Sequence, residues 1–186
     1  VTQALANRQG QIQVVEGGLE ARLGSLDNQQ GTLVARRLSV ASQGAVDNRQ
    51  GQLVGDELRL DAGSLDNRQD GRLTASYLTL AIDDALDNQG GVLDADQGEL
   101  QVAARRLDNR GGTLSAGQLE LNFGLDPDQG IDNRDGGLLL ADDLRLTAGS
   151  LSNTQGRVLG QSLVLTLAAS LLRLAKSKQR EDCREK

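Results

Sequence analysis

The 186-residue sequence has no histidine, no tryptophan and no methionine, and one each of phenylalanine, tyrosine, proline and cysteine. Without histidine the usual general base, the usual neutral metal ligand and any Ser-His pair are excluded. The lone Cys183 cannot form an internal disulfide. A stacked architecture can do without such a staple, because its stability grows with length. Scarce aromatics argue against an ordinary compact core, which leans on such rings for volume. Leu, Val, Ile and Ala carry the apolar volume instead, which suits a narrow core lined by repeated aliphatic rows. Long apolar runs are missing too, so no segment is expected to insert into a membrane. No leader peptide opens the chain, which starts inside a repeat at Val1; any secretion signal is expected upstream.

Charge is acidic overall and unevenly placed. The net charge is −6, with 14 Arg against 23 acidic residues in 1–170 and 6 basic against 3 acidic residues in 171–186. An acidic body lacks the clustered Lys and Arg that phosphate binding needs, so nucleic acid is not an expected partner.

What the sequence does contain is a repeat. Leu65-Asp66-Asn67 and its variants recur with the asparagine at Asn7, Asn28, Asn48, Asn67, Asn88, Asn109, Asn133 and Asn153, at spacings of 21, 20, 19, 21, 21, 24 and 20. A period near twenty has no room for two helices and predicts a solenoid of about eight stacked coils. After the signature come apolar residues at every second position, as in Leu73/Ala75 and Leu78/Leu80. That period of two belongs to short strands. Strands so short must pair with their counterparts one coil away, in parallel and in register. The fold predicted is therefore all-β, a parallel β-helix roughly 38 Å long at a strand spacing of about 4.8 Å. Parallel crossovers favour the right hand.

Alternation puts Leu65 and Asn67 inside and Asp66 outside. Inward amides can then bond from coil to coil in a ladder that fixes register. Asn tolerates left-handed backbone and Gly takes positive φ freely, so Asn-x-x-Gly predicts a tight corner. Seven copies show that spacing, closing at Gly10, Gly31, Gly51, Gly91, Gly112, Gly136 and Gly156; the eighth, Asn67 to Gly71, has one extra residue and predicts a wider corner. The outward Asp residues would stack as like charges, with Arg8, Arg49, Arg68, Arg110 and Arg134 placed to offset them.

The pattern breaks twice. The spacing of 24 places an excess in 122–130, which holds Phe123, Asp126, Pro127 and Asp128 and predicts a loop bulging from the rod, structural in the main but also the candidate contact loop. From about Ala168 the residues become helix formers, without Gly or Pro and with charge increasing towards the end. A short helical tail over 171–186 is expected to cover the end of the 1–170 repeat region, or else to be foreign to it.

Leu-Asp-Asn-x-x-Gly-x-Leu-x-Ala, followed by Leu-x-Leu and by Ala62-Gly63-Ser64 or Ala148-Gly149-Ser150, resembles the haemagglutinin repeats of filamentous-haemagglutinin-like exoproteins. The resemblance covers residues 1–170. It implies a right-handed β-helical filament of a two-partner-secretion adhesin or contact-dependent growth inhibition effector, exported by an outer-membrane transporter and displayed on the bacterial surface. Flanking modules of the same exoprotein and a host or target-cell receptor are the implied partners. Neither a secretion domain nor a toxin domain lies in this segment, and the basic tail matches no motif of the family.

Other repeat folds fit less well. Pectin-degrading enzymes share the β-helix, and Asp83/Asp84 or Asp142/Asp143 are the candidate paired carboxylates; no coil, however, gathers acids with an Arg in a cleft. No catalytic residue, cofactor or metal site is expected. Gly-Gly-x-Gly-x-Asp calcium repeats are absent, leaving weak calcium binding by the Asp column as a remote reading. Leucine-rich repeats fail because the asparagine comes eight residues after Leu80.

Overall fold

In the structure, a computed structural model, residues 3–168 are described. They form twenty strands and no helix, joined in one continuous parallel sheet. The predicted helical tail at 171–186 lies outside the described residues.

Each coil runs through three short stretches. The first carries the signature, as in Ala85–Asp87; the second follows the glycine, as in Val92–Asp94; the third carries Leu-x-Leu, as in Glu99–Ala103. In some coils two stretches fuse, giving the longer strands Arg37–Asp47, Glu57–Asp66, Thr113–Asn122 and Leu138–Ala148. Every pairing is parallel and joins equivalent residues about one repeat apart. Leu86 sits between Leu65 and Leu107, Leu93 between Leu73 and Leu114, and Leu78 between Leu58 and Leu100. The chain is thus a parallel β-solenoid of about eight turns.

Strict pairing follows from the pleat. One slipped residue would turn a coil's whole apolar set outwards. The inward residues stack into aliphatic rows that form one core, with Leu33, Leu53, Leu73, Leu93, Leu114 and Leu139 each fully buried. Insertions are absorbed at corners. The pairing of Arg37–Asp47 with Glu57–Asp66 shifts between Ser42 and Ala45, where Gln43 and Gly44 lie opposite the single Gly63 and Ser42 Oγ donates to Gly44 O at 3.2 Å.

The last described strand, Ser162–Leu167, is exposed throughout, because no described coil lies beyond it. Leu163 and Leu165 continue the Leu144 and Leu146 rows yet are 46% and 44% exposed.

Candidate functional site

The corner after each signature holds the densest polar chemistry in the rod. Asn28, Asn48, Asn67, Asn88, Asn109 and Asn133 are fully buried, Asn7 is nearly so, and Asn153 at the end is exposed. Their amides form a head-to-tail ladder. Each Nδ2 donates to the Oδ1 of the next coil, from Asn7 to Asn28 at 2.7 Å through Asn67 to Asn88 at 2.8 Å to Asn133 to Asn153 at 2.7 Å. The same Nδ2 also reaches main-chain carbonyls; that of Asn88 donates to Gly91 O at 3.2 Å and Thr113 O at 3.4 Å. Such full partnering is what burial demands of an amide. Among the described residues no buried side-chain polar atom lacks a partner.

The glycines behave differently from the sequence expectation. At Gly91 φ is not positive; the left-handed residue is the one before it, Gly90 at 64°, and in other coils Gln9, Gln30, Gln50 and Gln155 at 55–60°. Asparagine is not left-handed in any described coil either. What Gly91 supplies is close approach: a Cβ there would overlap Asn67 O of the preceding coil and crowd Asn88 Oδ1. The column is glycine because two corners stack in contact.

A second correction concerns Gly136. The Asn133 corner closes at Gly137, whose carbonyl accepts from Asn133 Nδ2 at 3.1 Å and whose added Cβ would meet Asn133 Oδ1. Gly136 is an exposed, extra residue with φ of 89°, after Asp135 at 54°. There are therefore two wide corners, Asn67 to Gly71 and Asn133 to Gly137, and six tight ones. The adjacent glycines at 136 and 137 hid the extra residue from spacing alone.

Outside the ladder, the signature aspartates do more than stack. Oδ1 of Asp47, Asp66, Asp87, Asp108 and Asp132 each accepts the N–H two residues on at 3.2 Å, closing a small turn that starts the corner. Of the Arg residues that follow Asn, Arg49, Arg68 and Arg110 each pair with their own Asp and lean to the next coil's, whereas Arg8 pairs only with Asp27 of the next coil and Arg134 only with its own Asp132. Arg49 Nη2 lies 2.6 Å from Asp47 and its Nε 3.4 Å from Asp66; Arg68 bridges Asp66 and Asp87 likewise. Where Gln follows, it bridges as an amide, Gln29 Nε2 to Asp47 at 2.5 Å and Gln89 Nε2 to Asp108 at 3.0 Å.

The carboxyls respond accordingly. Burial opposes ionisation of Asp47, but hydrogen bonds from Arg49 and Gln29 outweigh it and hold the group at about 2. At Asp132 the Arg134 guanidinium is the leading influence and holds the carboxyl low. Asp87, followed by Gln89, is pushed up by burial.

The loop separates its four candidate residues. Phe123 turns inward and is 1% exposed, one of the largest side chains in the core, so it is not a contact residue. Its ring ends the apolar run of Thr113–Asn122, and its N–H donates to Thr147 O at 2.8 Å. Asp126, Pro127 and Asp128 are exposed at the tip. The candidate acid pairs converge on nothing: Asp83 and Asp84 are exposed in a bend, with Arg106 3.3 Å from Asp84, and Asp142 and Asp143 are exposed on one strand. Among the described residues no group of three or more Asp, Glu, Cys or His could hold a metal ion.

The haemagglutinin-repeat family model matches the chain twice, over residues 1–90 and 86–174. No curated protein and no solved structure matches it. The two matches overlap at residues 86–90, around the fifth signature, and together cover every described coil, the same stretch in which the Asn ladder and the glycine corners repeat. The chain belongs to the haemagglutinin-repeat family.

Proposed function

We propose that this chain is a structural shaft, a right-handed length of filament in a large secreted bacterial exoprotein, either an adhesin or a contact-dependent growth inhibition effector. It holds distal binding or toxin modules away from the cell. Its partners are the flanking modules of the same exoprotein, the outer-membrane transporter during export, and a receptor met by the distal modules. The observation that carries this reading is the equivalence of the coils: each pairs with its neighbours residue for residue, and the polar side chains concentrated at the corners are spent on stacking.

Excising one period tests it. Removing Asn67 through Asp87 joins Asp66 to Asn88, and Asp66 already pairs with Asp87 in register, so the remaining coils stack unchanged. The expected product is a folded rod shorter by about 4.8 Å. Removing only Asn67 through Ser76 joins Asp66 to Tyr77 and deletes a corner, so it should unfold or aggregate. If circular dichroism and small-angle scattering show both deletions equally unfolded, the coils are not interchangeable and the shaft reading is wrong.

A second reading, in which the rod itself carries a receptor- or carbohydrate-binding face, is favoured by one observation. The tip Asp126-Pro127-Asp128 stands exposed where the other coils have short bends. Alanine at Asp126 and Asp128 should leave adhesion unchanged if the distal modules do the binding.

A further inference from the structure

The one proline in the sequence follows an aspartate, and both stand at the exposed tip of the one long insertion. The chemistry of that peptide bond is particular. Proline's nitrogen is a tertiary amide without a proton, and it leaves as a basic secondary amine. The aspartate before it carries a carboxyl that can reach its own backbone carbonyl through a five-membered ring. An internal nucleophile so placed gains the advantage of an intramolecular reaction.

The loop holds these atoms in a reactive arrangement. The Asp126 carbonyl oxygen, which belongs to the bond in question, accepts the N–H of Gln129 at 2.9 Å. A donor there stabilises the charge that develops on that oxygen when its carbon is attacked. Asp126 Oδ1 accepts the N–H of Asp128 at 3.0 Å. This draws the carboxyl towards the C-terminal side of its own residue, beside the bond it would attack, and among the described residues Oδ2 has no hydrogen-bond partner. Gly149 of the next coil gives the carbonyl its room: a Cβ there would overlap Asp126 O.

From this geometry we infer that the Asp126–Pro127 bond is a built-in acid-labile processing site that cuts the chain between its sixth and seventh coils without dismantling the rod. Oδ2 of the protonated Asp126 carboxyl adds to the Asp126 backbone carbonyl carbon, and the carboxyl proton passes to the Pro127 nitrogen. The C–N bond breaks with its electron pair on nitrogen, leaving a cyclic anhydride on Asp126. Water then opens the anhydride to two carboxyl groups. Net, one water is consumed, a new C-terminus forms at Asp126 and a new N-terminus at Pro127. No oxidant, metal or second protein takes part.

Both sides of the cut stay anchored. Before it, Phe123 is buried and its N–H is bonded to Thr147; after it, Gly130 N–H donates to Arg105 O at 3.1 Å and the strand Gly130–Asp132 pairs in register with Arg106–Asp108. A nicked rod therefore keeps its stacking.

The test is incubation of the full 186-residue chain near pH 4, about where a carboxyl is partly protonated, and near neutrality. Denaturing electrophoresis, intact mass and N-terminal sequencing read the products. The expected result is one cut giving a new N-terminus at Pro127, with the two pieces co-eluting as one rod under native conditions. Because the loop preorganises the attack, the folded chain should be cut about tenfold faster than the same chain in urea at the same pH. Asp126→Asn and Pro127→Ala should abolish the acid-dependent cut. Gln129→Pro, which removes the donor N–H, and Gly149→Ala, which displaces the carbonyl, should slow the folded chain to the urea rate, with circular dichroism checking that each still folds. A cut no faster in the folded chain than in urea, a cut at another bond, or none at all, overturns the proposal.

Discussion

Asn88 and Asp87 are neighbours in the chain and stand in columns that run side by side along the rod. The inner column is asparagine in every coil; the outer one is aspartate in six, followed by arginine in some coils and glutamine in others. Both columns bond from coil to coil, the inner one at 2.7–2.8 Å throughout and the outer one over a wider range, from 2.5 Å for Gln29 to 3.7 Å for Arg110. They differ in what happens when a bond is missing. Inside, a lost partner leaves a dry amide, which costs about 1–3 kcal/mol for each unsatisfied group. Outside, water takes the vacant place, so Arg and Gln can substitute for one another. Uniformity within the repeat therefore marks burial more than the strength of any one bond.

The sharpest way to break the comparison is to exchange chemistry within the inner column. Asn88→Asp removes the donor that serves Asn109, Gly91 and Thr113 and puts a carboxylate in a dry site. It should destabilise by more than about 3 kcal/mol. Asn88→Leu adds apolar volume yet should still lose about 2 kcal/mol, because Asn109 Oδ1 loses its Asn88 donor and Asn67 Nδ2 loses its side-chain acceptor, though it still reaches Gly71 O and Val92 O. Hydrogen exchange of the strands Arg72–Thr74 and Thr113–Asn122 should report that loss; unchanged protection there would mean the ladder does not couple the coils.

Next in size is a test within one corner. Gly91→Ala forces a methyl group into Asn67 O and should cost roughly 2 kcal/mol or more, as strain in a packed interior does. Gly90→Ala, one residue away, meets no atom within 4 Å and carries only the left-handed backbone penalty of about 1 kcal/mol. Equal urea midpoints for the two would return the glycine column to a backbone-angle explanation.

The outer column should give the smallest effect, and its sign is set by pH. Asp47 is held at about 2, below its ordinary 3.8, so its contribution is fully present above about 4 and is lost as pH falls towards 2. Asp47→Asn should flatten part of the acid slope of stability. Asp87 is shifted the other way, so its protonation favours the fold and Asp87→Asn should be neutral or slightly stabilising at pH 7. Matching acid slopes for wild type and Asp47→Asn would show that the outer bonds are inert.

These columns also show what was legible beforehand. The alternation of Leu73/Ala75 and Leu78/Leu80 has one physical cause, the pleat, so it gave strands, inward faces and register directly. Asn-x-x-Gly located the corner but not the reason for its glycine, because contact between coils is invisible to a pattern read along one coil. The twin glycines at 136 and 137 concealed a wide corner for the same reason: spacing counts residues, and only Asn133's bond to Gly137 shows which one closes the turn. Phe123 read as part of a loop because the insertion surrounds it, but its place two residues after Leu121 continues the inward alternation, a signal that was present and overlooked.

Head-to-tail stacking also decides how such a rod would answer a pull along its axis. Bonds between two neighbouring coils share a load, while successive junctions bear it in turn, so the weakest junction yields first. Each coil that peels away releases about twenty residues, roughly 65–70 Å of extended chain, in place of about 4.8 Å of rod. The coil that yields would lengthen more than tenfold at each step, so a rod of this construction would absorb a tug that would snap a stiffer attachment.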